Sequence, residues 1–136
     1  MNGELTQIEA PDWLLRLFKS IDELDFSEGS GFEIFADDIV MQFGPETLNG
    51  IEAVRAFFIK LDAPFITRHI VDRAFQIGRT FMMQGKASLR KKDDPAGNTF
   101  QVSPLFNLLW FDENGKVIRY VVDFPPDAAE ASGLTN

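Results

Sequence analysis

The chain contains a single histidine, His69, and this residue is its best candidate for acid or base chemistry. An imidazole gains and loses a proton near neutral pH, so it can take a proton from a substrate or deliver one. A nearby carboxylate can fix which ring nitrogen carries the proton, and Asp22 is the candidate for that role. The alternatives are a structural histidine at position 69 and a solvated helix residue at position 22, beside Glu23 and Asp25.

Two further polar residues lie on predicted strands late in the chain, where they could move a proton or hold a substrate oxygen. Asp123 is a candidate for catalysis, but it shares strand parity with Arg119 and could instead form a cross-strand ion pair or a hydrogen bond at the strand end. Asn107 shares parity with Leu105 and Leu109, so on an inward face its amide must find a ligand or a protein partner. The sequence leaves these alternatives open.

Phenylalanine is unusually frequent, because the 136 residues include 14 Phe and 2 Trp but only 1 Tyr. Such a set adds a large apolar volume with almost no hydroxyl groups that need a hydrogen-bond partner. Core packing accounts for most of these rings, and a pocket for a hydrophobic small molecule can account for the rest. We predict that Trp13, Phe43 and Tyr120 line such a pocket and contact the substrate.

The overall charge argues against nucleic acid as a partner. The formal net charge is −8 and no cluster of lysine or arginine offsets it, so a phosphate backbone would be repelled. There is no cysteine, which excludes disulfides and thiolate metal sites. No run of about 18 apolar residues, secretory leader, phosphate-binding loop or clustered metal site is present. We therefore predict a cytoplasmic protein with no membrane segment, cofactor or metal ion.

Apolar residues recur every three or four positions in the first half of the chain, which predicts helices. The first helix covers residues 11–24, and the second covers part of 27–35. A short strand at 39–43 precedes a third helix, for which Asn49 and Glu52 form a capping box at the start. The first half is therefore predicted to be mostly helical.

The second half changes to the short period of β-strands, with turn residues between the segments. Four strands are predicted, over Phe65–Ile77, Thr80–Arg90, Thr99–Phe111 and Lys116–Phe124. Three helices followed by a meander predict a single α+β domain over residues 1–136, with the helices on one face of the sheet. Pro104 predicts either a bulge in the third of these strands or an edge position for it, and it implies a bent sheet. Residues 1–10 and 126–136 are predicted to be flexible ends.

Several stretches resemble the nuclear transport factor 2-like superfamily, and its SnoaL-like branch in particular. They are FADDIVMQFG, LNGIEAVRAFF, TRHIV and WFDENGKVIRYVVDF, and the resemblance extends over residues 12–124. It implies a cone-shaped, curved antiparallel sheet that encloses a pocket together with three N-terminal helices. Relatives of this kind include polyketide cyclases, ketosteroid isomerases and scytalone dehydratase, and they commonly form homodimers.

The resemblance also implies roles for individual residues. His69 is similar to the pocket histidine of this branch, and Asp22 is similar to an acid of the first helix that lies near the pocket. Asn107 resembles a substrate-contacting asparagine. Asp123 is the nearest match to the late aspartate of the polyketide cyclases.

Two groups found in related active sites are missing from this sequence. The second histidine of the dehydratases has no counterpart in Phe81–Leu89, and Phe43 stands where the isomerases carry a general-base aspartate. The sequence predicts a small-molecule pocket protein, namely a cofactor-independent isomerase, cyclase or dehydratase that uses general acid/base catalysis on a hydrophobic substrate. The alternative is a non-catalytic ligand-binding or dimerisation module of the same fold.

Overall fold

The computed structural model describes residues 5–125 and 127, and these residues form an α+β fold around one seven-stranded sheet. Its helices are α1 (Asp12–Glu23), α2 (Ile51–Asp62) and a short 3-10 helix at Gly31–Ile34. Its strands are β1 (Thr6–Ile8), β2 (Phe35–Phe43), β3 (Glu46–Asn49), β4 (Phe65–Ile77), β5 (Thr80–Lys91), β6 (Thr99–Phe111) and β7 (Val117–Asp123). The α+β class predicted from the sequence is confirmed.

Helix α1 follows directly from the local sequence. Pro11 precedes its first turn, where the N–H that proline lacks would have no partner within the helix. The helix ends at Leu24, which takes the left-handed conformation with a φ of 51°. Its apolar stripe is fully buried, with Leu14, Leu17 and Ile21 at 0% exposure. This buried stripe fixes the rotation of α1, and with it the direction in which Asp22 points.

The strands are arranged in the order β1-β4-β5-β6-β7-β2-β3. The four long strands of the second half form the predicted antiparallel meander. The neighbours β7 and β2 are parallel, so the prediction of a wholly antiparallel sheet is wrong at this one junction. The parallel pair joins the first half of the chain to the end of the meander and brings β2 beside Tyr120.

The prediction of three N-terminal helices is corrected to two α-helices and one short 3-10 helix. In the segment 27–35, Gly29 takes a φ of 87°, and a Cβ at Gly31 would overlap the main chain of Arg16. The glycines that allow this close approach are poor helix formers, so a regular α-helix does not form. The predicted capping box is also wrong, because Asn49 ends β3 and Gly50 precedes α2 without a side-chain cap.

Two irregularities bend the long strands. On β5, Gly85 pairs with Leu105 and Ala87 pairs with Val102 of β6. Between these pairs, two residues of β6, one of them Pro104, oppose one residue of β5. This confirms the predicted bulge. On the other side of β5, the register with β4 shifts between Val71 and Arg73. Because both shifts lie at the same height in the sheet, they curve it around the helices.

The chain ends differ from one another. Within the predicted flexible end at residues 1–10, Thr6–Ile8 forms β1 and pairs with β4, whereas residues 1–4 lie outside the described part. The other predicted flexible end, 126–136, lies outside it except for residue 127. Among the described residues, no helix is long and apolar enough to cross a membrane.

Candidate active site

The inner face of the curved sheet and the end of α2 enclose a small cavity of about 40 Å³. Its walls are mostly apolar, and four aromatic rings contribute to them: Phe43, Phe58, Tyr120 and Phe124. The polar groups that line it are Asp62, Thr67, His69 and the hydroxyl-bearing Tyr120. An apolar cavity with a few converging polar groups is the usual form of a small-molecule site.

His69 and Asp22 form a bidentate contact across 47 positions of sequence. The main-chain N–H of His69 donates to Oδ2 of Asp22 at 3.0 Å, and the ring Nδ1 lies 2.5 Å from Oδ1. The two side chains are only 13% and 16% exposed. Because an ionised carboxylate only accepts hydrogen bonds, this geometry makes Nδ1–H the donor and leaves Nε2 as the ring nitrogen available to a ligand.

The position of the His69 ring follows from the strand and the helix that hold it. On β4, His69 has the same parity as Thr67, which is buried, so both side chains point to the inner face. The ring of Phe18, from α1, stacks on the imidazole with centroids 4.6 Å apart and planes 8° apart. Stacking on one face and the Asp22 contact at one edge together restrict the imidazole to one orientation.

Asp62 is a buried acid that the sequence analysis did not single out. It is the last residue of α2, it is 4% exposed, and its Oδ2 has no hydrogen-bond partner among the described residues. Burial raises the pKa of the Asp62 carboxyl from 3.8 to about 6; the charge of His69 opposes this rise and that of Asp22 adds to it. A signal was present in the sequence, because Asp62 follows Val54 and Phe58 at a spacing of four on the buried face.

Tyr120 and Asn107 are paired behind the cavity wall. The Tyr120 hydroxyl donates to the amide oxygen of Asn107, whose Nδ2 lies 3.3 Å from the sulfur of Met83. Burial, with smaller effects from the Asp62 and Asp22 carboxylates, raises the pKa of Tyr120 above its ordinary 10.0, so the phenol stays protonated. Asn107 is 1% exposed and does not line the cavity, and its amide oxygen accepts the hydrogen bond of the phenol.

The structure brings some predicted site residues together and separates others. His69, Phe43 and Tyr120 line one cavity, and Asp22 contacts it through His69. Trp13 packs elsewhere, against Phe81 and Phe111, with ring centroids 4.9 and 5.0 Å apart.

Asp123 is also outside the cavity. It is exposed at the end of β7, where strand alternation turns it away from Tyr120 and Val122, and its Oδ1 accepts the N–H of Phe124. A direct role for Asp123 in this cavity is therefore not supported by its position.

No protein-family model matches the sequence of this chain, and no curated protein sequence is similar to it. Three solved structures superpose with a TM-score of 0.73. One is a hypothetical protein with a ketosteroid isomerase-like fold from Catenulispora acidiphila, in complex with trimethylamine (16% identity, covering 92% of this chain and 95% of that one).

The other two are candidate SnoaL-like polyketide cyclases. One is from Jannaschia sp. CCS1 (19% identity, covering 93% of this chain and 96% of that one), and the other is from Shewanella putrefaciens (13% identity, covering 94% and 100%). Similarity at these identities establishes the fold and leaves the activity to be argued from the site.

Proposed function

We propose, from the premise that the chain has the nuclear transport factor 2-like fold, that it is a cofactor-independent enzyme acting on a small hydrophobic molecule. The reaction class is isomerisation, cyclisation or dehydration, in which a proton leaves one atom of the substrate and a proton is delivered to another. The single observation that carries this proposal is the Asp22 and His69 pair at the wall of an apolar cavity. An imidazole held in one tautomer is a competent general acid and base.

In this proposal, His69 moves the proton and Asp22 is a positioning residue. With Nδ1–H donated to Asp22, the lone pair of Nε2 can take a proton from a carbon acid or a hydroxyl group in the cavity. The Asp22 carboxylate then stabilises the imidazolium ion until Nε2 returns the proton to another atom of the substrate. The apolar walls strengthen this interaction because little water screens it.

A non-catalytic ligand-binding or dimerisation module is the second candidate, and the cavity volume is the observation that favours it. About 40 Å³ is room for only a few non-hydrogen atoms, which is less than a steroid or a terpenoid needs. A larger substrate would have to extend out of the cavity or move its walls apart. A compound that binds wild-type protein and is recovered unchanged would support this second candidate.

The catalytic proposal predicts a large loss of turnover in His69→Gln. Glutamine keeps a polar side chain of similar size but cannot accept and return a proton, so turnover should fall by about 100-fold or more. Ligands would first be found by thermal shift of wild-type protein against small ketones, enols and hydroxy compounds, and conversion would then be followed by mass spectrometry. Gln76→Ala, an exposed change on the same strand, is the matched control and should keep full turnover. Unchanged turnover in His69→Gln would exclude His69 as the proton-transfer group.

We also propose that the chain forms a homodimer through the outer face of the sheet. A row of half-buried apolar residues crosses four strands there, because Phe75, Met82, Leu108 and Val121 are paired in register. The adjacent row begins with Arg73 on β4 and ends with Asp123 on β7. A two-fold axis through the middle of this face would place Arg73 near the partner subunit's Asp123, so the surface is complementary to itself.

This dimer predicts that Leu108→Glu weakens self-association by about 100-fold, because a charge would be buried at the centre of the interface. Sedimentation velocity over a concentration series measures the effect. The matched control is Leu15→Glu on α1, where the side chain is 50% exposed and away from the row, and it should leave the dimer intact. A wild-type monomer at high concentration, or a Leu108→Glu dimer as tight as wild type, would contradict the proposed interface.

A further inference from the structure

Two buried oxygen atoms in the cavity wall have no hydrogen-bond partner among the described residues. They are Oδ2 of Asp62 and Oγ1 of Thr67, in side chains of residues that are 4% and 7% exposed. Buried polar atoms in proteins almost always have a partner, so two orphans in one cavity indicate that a molecule in the cavity, either water or a ligand, supplies donors. An ionised carboxylate accepts hydrogen bonds and cannot donate one, and the threonine hydroxyl can also accept one. A molecule that fills this space therefore carries hydrogen-bond donors.

The charges around the cavity favour a cation. Asp62 from α2 faces His69 from β4 and Tyr120 from β7, and the Asp22 carboxylate from α1 lies behind His69. Among the residues that the structure describes, no lysine or arginine lines this cavity. The chain as a whole carries a net charge of −8, which adds to the negative potential. An anion would meet the Asp62 carboxylate here, which the charge of His69 compensates only in part, and a cation would neutralise it.

The remaining walls suit an ammonium group with alkyl substituents. The rings of Phe43, Phe58 and Phe124 line the same space as Asp62, and the centroids of Phe43 and Phe124 are 5.2 Å apart. The faces of aromatic rings attract ammonium ions, and their apolar surface accommodates the alkyl groups. The volume of about 40 Å³ limits the bound group to a few non-hydrogen atoms.

We infer that the cavity binds the protonated amino group of a small alkylamine, with Asp62 as its counter-ion and Thr67 as a second acceptor. The ligand is thereby assigned to a chemical class: a positively charged, N–H-bearing head group with short alkyl arms. This site lies in the same cavity as the proposed catalytic pair. It does not require proton transfer by His69, so the two proposals can fail separately.

The test uses three probes of equal size and different charge, namely isopropylammonium, 2-propanol and acetate, each with four non-hydrogen atoms. Binding to the full chain is followed by NMR titration of main-chain and side-chain signals at constant ionic strength. We expect saturable shifts at Asp62, Thr67 and Phe43 with isopropylammonium, at least about tenfold weaker binding of 2-propanol, and no binding of acetate. Equal binding of the alcohol, or tighter binding of acetate, would overturn the inference.

Variants identify the counter-ion. Asp62→Asn keeps the size of the side chain and should weaken isopropylammonium binding by at least about tenfold. The matched control Asp72→Asn removes an exposed aspartate of β4 and should bind isopropylammonium as the wild-type protein does. In the background His69→Gln, which contains no histidine, affinity should rise with pH through the titration of Asp62, and Asp62→Asn should remove that rise. Binding that survives Asp62→Asn would refute Asp62 as counter-ion, and binding retained in His69→Gln would separate this site from the catalytic proposal.

Discussion

Asp62→Asn is expected to be more stable than the wild-type chain at pH 7.5, by about 2 kcal/mol in the free energy of unfolding. The reason is the cost of ionising a carboxyl group that is buried without a partner on one oxygen. A pKa of about 6 in the folded state, against 3.8 for an unperturbed aspartate, corresponds to about 3 kcal/mol of destabilisation at neutral pH. Asparagine avoids this cost, but its own amide is incompletely bonded there and reduces the gain.

The sign of the pH dependence follows from proton binding. Between pH 3.8 and about 6 the unfolded chain has released the Asp62 proton and the folded chain still holds it, so this residue lowers stability as pH rises through that range. The advantage of Asp62→Asn should therefore be near zero at pH 4 and fully developed above pH 7.

Urea unfolding of both proteins at pH 4, 5, 6 and 7.5 measures the difference. The exposed Asp72→Asn should show no comparable increase. An advantage that does not change with pH, or a variant that is less stable at pH 7.5, would contradict the assignment of Asp62 as a costly buried acid. A group that lowers stability in this way is commonly retained for a function, which is consistent with its position in the cavity.

The bounds of the long strands were readable from the sequence because each is delimited by turn residues. The predicted segments at 65–77 and 99–111 agree with β4 and β6. The short strand β3 was not predicted, since its four residues are mostly exposed and carry no alternating apolar pattern. The parallel pairing of β2 with β7 also could not be read locally, because it joins segments that are far apart in the chain.

The candidate site was less predictable than the fold. Asp22 and His69 could be linked only through the resemblance, because no local pattern shows that a turn of α1 faces β4. Asp123 lies outside the cavity because it follows the inward-facing Val122 on β7, so its side chain points to the opposite face of the sheet. Asp62 follows Val54 and Phe58 at a spacing of four on the buried face of α2, but a charged residue in an apolar stripe looks like an interruption of the stripe and not like part of a site.

Asp22→Ala is expected to lower the free energy of unfolding by about 3 kcal/mol. The carboxylate accepts two hydrogen bonds from His69, one from the main-chain N–H at 3.0 Å and one from ring Nδ1 at 2.5 Å, and both are largely shielded from water. Alanine leaves both donors without their partner and removes the polar link between α1 and β4. Chemical unfolding at pH 7.5 measures the loss.

The same variant should change the tautomer of the imidazole, which separates a positioning role from a purely structural one. Because His69 is the sole histidine, its two ring nitrogens can be assigned without ambiguity in nitrogen NMR spectra of labelled protein. In the wild-type chain the neutral ring should carry its proton on Nδ1, and in Asp22→Ala the spectrum should show a mixture of both tautomers.

Asp22→Asn is the intermediate case for both measurements. Its amide oxygen can still accept one of the two hydrogen bonds. The free energy of unfolding should therefore fall by about half as much as in Asp22→Ala. A variant Asp22→Ala that unfolds more easily but keeps the proton on Nδ1 would mean that Asp22 does not fix the tautomer. In that case Asp22 would be only a tether between α1 and β4, and it would not be a positioning residue for the proposed proton transfer.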